Sequence, residues 1–180
     1  MRQPPSFCVP TAITPRLAAV RLLVQPCSFA AVAGAIATQT GTAGVAEPIV
    51  DWTKSLFASQ RLRYVKDPVL CNGLRNADLW RSPQATFANH GGDCEDLSIV
   101  GVSALMAFGV QDTWLVVGTA GGEGHAWVEG SDAASGFLVE STMPALVRNA
   151  RPADYLPSHR FHPAMGAQVF TREGWQPLAA

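Results

Sequence analysis

The chain has 180 residues, 48% of them apolar and 15% charged, with a formal net charge of -1. That is enough apolar material for one compact domain with a sizeable core. Scattered Arg and Lys offer a nucleic acid no basic stripe, and no apolar run approaches the roughly 20 residues of a membrane span, so neither a nucleic-acid partner nor a transmembrane segment is expected.

Residues 1–45 read as an N-terminal extension. The stretch Leu17 to Ala37 combines Arg16 and Arg21 with an apolar run that ends in small residues. It has the outline of a secretory signal, with Ala33-Gly34-Ala35 or Ala35-Ile36-Ala37 as cleavage-like sites, although Gln25-Pro26 interrupts the run. The other reading is a helix from about Ser28 to Thr38 that docks on the core. Cytoplasmic and periplasmic locations both stay open. Gln39 to Gly44 is a flexible linker in either case.

Residues 46–150 read as the main domain, and the segments that could carry chemistry all fall within it. Glu47-Pro48-Ile49-Val50 opens a helix that carries Trp52, Leu56 and Phe57 toward the core. Then comes Gly91-Gly92-Asp93-Cys94-Glu95-Asp96-Leu97, directly ahead of Leu97, Val100, Ala104 or Leu105, and Phe108 at helical spacing, with Gly109 placed as a left-handed C-terminal cap. Asp93 is the expected N-cap, and Asp96 gives an imperfect capping box. Cys94 at such a helix start is where a nucleophilic thiol belongs, because free N–H groups and the helix dipole stabilise a thiolate. A buried packing cysteine is the bland alternative.

Thr113 to Gly118, His125 to Glu129 and Phe137 to Glu140 read as three short strands joined by tight turns, hence an antiparallel meander and an α+β fold. In neighbouring strands His125 and Glu140 can meet, and the imidazole would then face the helix start that bears Cys94. Glu129 competes as the acid, but it lies four residues along the same strand as His125, about 13 Å away. His90 reads as a solvated loop residue, and His159 and His162 as surface residues of a tail over 151–180. That tail packs on the core and carries an edge strand at Ala167 to Phe170. Cys8, Cys27, Cys71 and Cys94 lie far apart, with neither a disulfide framework nor a zinc pattern among them.

Asp78-Leu79-Trp80-Arg81-Ser82-Pro83, followed by Gly91-Gly92-Asp93-Cys94-Glu95-Asp96-Leu97, resembles the bacterial transglutaminase-like cysteine peptidases. Leu62 to Pro68 upstream, and Gly124-His125-Ala126-Trp127 with Val139-Glu140-Ser141-Thr142 downstream, are similar to further segments of that superfamily, so the resemblance covers roughly residues 47 to 145. It implies a papain-like core, the Cys helix packed on an antiparallel sheet that carries the His and the acid. It also implies Cys94 as nucleophile, His125 as base and Glu140 as third member. Glu140 departs from the pattern, which usually has Asp followed by Pro where this chain has Ser141.

The implied reaction is thiolate attack on an amide carbonyl, most directly proteolysis of a peptide or protein substrate through a thioester. A crosslinking transglutaminase and a non-catalytic, virion-associated module are the alternatives. Proton sharing with His125 is expected to lower the thiol pKa, and the Cys94 backbone N–H to serve an oxyanion. No cofactor is required. Some related peptidases bind calcium through the acids flanking the cysteine, so the resemblance adds calcium at Asp93 and Glu95; capping and dipole compensation explain the same acids without an ion.

Overall fold

A computed structural model describes residues 6–9, 20, 22–30, 45–68, 70–71, 74–75 and 78–178. In chain order the elements are β1 (Ser6–Val9), a 3-10 turn (Pro26–Phe29), α1 (Ala46–Ala58), β2 (Leu70–Cys71), β3 (Leu74–Arg75), β4 (Asp78–Arg81), α2 (Pro83–Ala88) and α3 (Cys94–Ala107). Seven strands follow: β5 (Thr113–Ala120), β6 (Glu123–Ser131), β7 (Gly136–Glu140), β8 (Ala145–Arg148), β9 (Tyr155–His162), β10 (Gly166–Thr171) and β11 (Gly174–Pro177). These seven form one antiparallel sheet in the order β11-β10-β9-β5-β6-β7-β8.

Helix α3 is the centre of the core, with every residue from Glu95 to Met106 buried. One side packs on β5 and β6, the other against α1 and the segment around the 3-10 turn. A helix covered on all sides has no polar face, which is why its sequence shows apolar residues and serines between the spaced positions. Gly109 at φ +90 ends it, as the sequence implies. Arg148 of β8 holds both Asp132 and Glu47, and the Ala46 N–H donates to Asp132, so the start of α1 is pinned to the sheet edge.

Of the helix expected over 28–38, residues 31–38 lie outside the described residues, as do the cleavage-like sites and the 39–44 linker. Pro26–Phe29 is a 3-10 turn; Val20, Leu23, Val24 and Phe29 are buried, and the Gln25 N–H donates to Ser103 Oγ of α3 at 3.0 Å. Residues 155–177 contribute three strands to the sheet itself, and β9 lies in its middle beside β5. The Ala167 to Phe170 strand is therefore not an edge, since β11 covers its far side. His159 and His162 are corrected as well: both are buried. Nε2 of His162 donates to Gln111 O at 2.8 Å, and its Nδ1 accepts from the Ala164 and Met165 N–H groups, a satisfied structural histidine. Periodicity could not reveal this, because a polar tail and a short amphipathic strand look alike in sequence.

Candidate active site

Cys94 is reached through a tight loop. Helix α2 begins at Ser82-Pro83, where Ser82 caps the Ala85 N–H, and after Asn89 the chain reverses through His90 (φ +55) and Gly91 (φ +147). The Gly92 N–H donates to Arg63 O at 3.3 Å, and the Val65 N–H donates back to Gly92 O at 2.9 Å. A Cβ at Gly91 would sit 2.1 Å from Arg63 O, and one at Gly92 would sit 2.4 Å from the Asp96 Cβ. The two glycines thus let the entry loop lie flat against the 63–65 segment and the helix start.

Asp93 is the N-cap by position, with extended backbone, yet its side chain makes no cap hydrogen bond. The reason is its neighbours: carboxylate oxygens of Asp67, Asp93 and Glu95 gather within 4.8 Å of one another. Asp93 Oδ1 and Glu95 Oε1 are buried without a hydrogen-bond partner among the described residues. Burial and the facing Asp93 carboxylate push Glu95 well above the usual carboxylate range. Asp96 does not complete a capping box. It accepts from the Arg81 N–H at 2.6 Å and from the Arg81 guanidinium, which also reaches Asp67 at 2.9 Å. Burial pushes Asp96 up to about 7 against the pull of Arg81. This network ties the first turn of α3 to β4.

The thiol is half-buried, with Sγ 3.3 Å from Glu95 Oε2. Burial and then the Glu95 carboxylate raise it far above the ordinary thiol range, and the Ala126 N–H opposes them by donating to sulfur. The expected depression of the thiol pKa is thus reversed here, because the sulfur is buried and Glu95 faces it. The Ala126 contact sets Cys94 beside the β6 residue that follows His125.

His125 and Glu140 do meet, Nε2 to Oε2 at 2.7 Å. They are not directly opposite. The β6–β7 register ends at Val128↔Val139, so the position facing Glu140 is Trp127, and the carboxylate crosses the diagonal to His125. Thr142 fixes the other oxygen, its N–H and Oγ1 donating to Oε1 at 2.8 and 2.6 Å, and the Tyr155 hydroxyl donates to Oε2 at 2.7 Å. Burial alone would raise Glu140; the hydrogen bonds from His125, Thr142 and Tyr155 pull it down to about 2. Glu129 is engaged elsewhere, held bidentately by Arg151 and by the Trp127 indole N–H. His90 lies on the wall of a cleft of about 620 Å³ that it shares with Phe57, Leu62, Arg63, Tyr64 and Thr142.

No protein-family model matches the sequence, and no curated protein matches it. Solved structures do. Legionella pneumophila LapG in its EGTA-treated form aligns over 81% of this chain and 86% of its own, with a TM-score of 0.54 and 18% identity. Its calcium-bound form aligns over 86% and 91%, with a TM-score of 0.51 and 18% identity. The fold is that of the transglutaminase-like cysteine proteases. A putative cysteine protease from Cytophaga hutchinsonii agrees, at 13% identity and a TM-score of 0.51, although this chain spans only 47% of that one. At these identities the LapG-like likeness establishes the fold and leaves the chemistry to the residues themselves.

Sequence reasoning missed three residues that the structure brings to these side chains. Asp67 lies 26 positions before Asp93, joining the acids only through the 63–65 pairing with Gly92. Thr142 had a local signal, a hydroxyl two residues after an acid, which is the spacing of a short side-chain-to-backbone turn. Tyr155 had none, since it arrives from a strand that pairs with β5.

Proposed function

We propose that this protein is a cysteine peptidase in which Cys94 is the nucleophile, His125 the general base and Glu140 the residue that orients it. The carrying observation is the His125–Glu140 contact at 2.7 Å, on a carboxylate fixed through both oxygens, with the N–H of the next residue along that strand, Ala126, donating to the Cys94 thiol at the start of α3. With Nε2–H donating to an ionised Glu140, Nδ1 of His125 is left as the basic nitrogen. It takes the Sγ proton as sulfur attacks the carbonyl carbon of a peptide bond, which suits a thiol held in its protonated form. The oxyanion is met by the Cys94 backbone N–H at the start of α3. Collapse breaks the C–N bond, the His125 proton leaves with the amine, and water activated by the same nitrogen hydrolyses the thioester. The cleft beside Tyr64 and Thr142 is the natural seat for an extended protein segment.

The acid cluster fits a hard divalent cation. Three carboxylates, two with buried oxygens lacking partners, are an oxygen donor set of the kind calcium takes, and Asp67, Asp93 and Glu95 would hold it. Such an ion would supply positive charge that offsets the carboxylates now raising the Cys94 thiol.

The test compares wild type with Cys94→Ala on a total protein extract of the native host, with calcium and with EGTA, reading new protein N-termini by mass spectrometry. Termini that appear only with wild type support the proposal. Crosslinked products instead of new termini would assign transfer to amines, and no difference between the two proteins would overturn acyl transfer altogether.

A further inference from the structure

We propose that Tyr155 is a positioning residue of this site, whose hydroxyl holds the Glu140 carboxylate on the line that aims His125. The inference rests on the acyl-transfer reading and extends it to β9, a strand outside residues 46–150.

The need for it comes from the diagonal. Glu140 reaches past Trp127 to His125 on a side chain with three rotatable bonds, and each unfixed rotor would let the carboxylate swing off the ring nitrogen. Thr142 secures only Oε1. Pivoting about that oxygen remains free unless something else holds Oε2, and Tyr155 is the second donor there, at the same 2.7 Å as His125. Two donors on one oxygen share its charge and fix its direction.

The tyrosine is delivered by a distortion in the sheet. Along β5–β9 the register shifts between Val117 and Gly118: Val117 pairs with His159 but Gly118 pairs with Pro157, so Ser158 is an extra residue on β9. A bulge re-aims the strand beyond it. Gly118 is the partner of His125 across β5–β6, and a Cβ there would lie 2.1 Å from Leu156 O and 2.9 Å from the Trp127 ring. The missing side chain lets β9 close down where His125 sits. The Tyr155 ring then packs edge-on to His125 at 6.0 Å and to Trp127 at 5.2 Å. Trp127 stacks on His125 at 6.2 Å, so aromatic faces cover the imidazole–carboxylate bond and limit water access to it.

A half-buried tyrosine hydroxyl seeks any acceptor, so packing alone could put it here. The experiment separates the two roles. Proton NMR of ¹⁵N-histidine-labelled full-length protein reads exchange of the His125 Nε2–H with water, in wild type, Tyr155→Phe and Tyr155→Leu. In parallel, the rate of Cys94 alkylation by iodoacetamide is read on the Cys94 peptide in the same variants and in His125→Ala. Positioning predicts that Tyr155→Phe, which keeps the ring, speeds Nε2–H exchange at least about tenfold and slows Cys94 alkylation by about 3- to 30-fold, with Tyr155→Leu at least as severe. A merely structural tyrosine would lower the melting temperature of Tyr155→Leu and leave both readings of Tyr155→Phe at wild-type values, which overturns the proposal. Should Tyr155→Phe fail to fold, 3-fluorotyrosine at position 155 keeps the ring in place and changes the donor strength, so the Nε2–H exchange rate must differ from wild type; unchanged exchange overturns the proposal. If His125→Ala slows alkylation and Tyr155→Phe does not, only this inference falls. If His125→Ala alkylates as fast as wild type, the acyl-transfer reading falls and takes this inference with it.

Discussion

Glu140→Gln keeps the length and shape of the side chain and removes its charge. In the native protein burial raises this carboxyl, but donors from His125, Thr142 and Tyr155 overcome that and bring it down to about 2. Against an unfolded value of about 4.3, that difference is worth about 3 kcal/mol of stability at neutral pH. The folded pKa is depressed, so the contribution is complete above the unfolded pKa and is lost as pH falls from about 4 toward 2. Urea unfolding at pH 7 should therefore find Glu140→Gln less stable than wild type by about 3 kcal/mol, and at pH 3 by roughly half of that. The amide also turns N–H groups toward either Thr142 or the His125 and Tyr155 donors, whichever way it is flipped. Cys94 reactivity should fall by roughly 10- to 10⁴-fold, because the ring loses its anionic partner. Equal stability of the two proteins at pH 7, or a gap that does not shrink at pH 3, would refute the reasoning.

Glu140→Asp retains the charge but shortens the arm that crosses the diagonal, so Cys94 alkylation should slow by about 10- to 100-fold; a wild-type rate would mean that the Asp of related domains is interchangeable with Glu here. Glu129→Gln should leave that rate within about threefold while lowering the melting temperature, since Arg151 and the Trp127 indole lose an ionised partner. Gly118→Ala puts a methyl 2.1 Å from Leu156 O, so a large drop in melting temperature is expected, and an unchanged melt would contradict the packing of β9 on β5. Calcium should raise the melting temperature in step with its concentration, by about 2.7 kcal/mol of stability at 100 times Kd, and Asp93→Asn or Glu95→Gln should erase the effect in calorimetry.

What was legible in the sequence was whatever is local in the chain. The spacing from Leu97 to Phe108 and the closing Gly109 marked α3, and the turns at 121–124 and 131–136 marked the β5–β6–β7 meander, so Cys94 sat at a helix start and His125 within reach of Glu140. What was not legible depends on partners remote in sequence. Asp93 reads as a cap until Asp67 joins it, and the thiol reads as acidified until burial and Glu95 are counted. The tail reads as an appendage because nothing between 151 and 178 says that β9 inserts beside β5, and Tyr155 and the buried His162 both follow from that insertion.

The central claim, a thiol activated by His125, is tested most directly by competitive alkylation within one molecule. Full-length protein in millimolar calcium is treated with limiting iodoacetamide near pH 6, and labelling is counted at Cys94 and at the exposed Cys27. The account predicts that Cys94 labels at least about tenfold faster than Cys27, and that His125→Ala reverses the order without changing Cys27. Cys94 labelling more slowly than Cys27 in wild type, and at the same rate in His125→Ala, would contradict it.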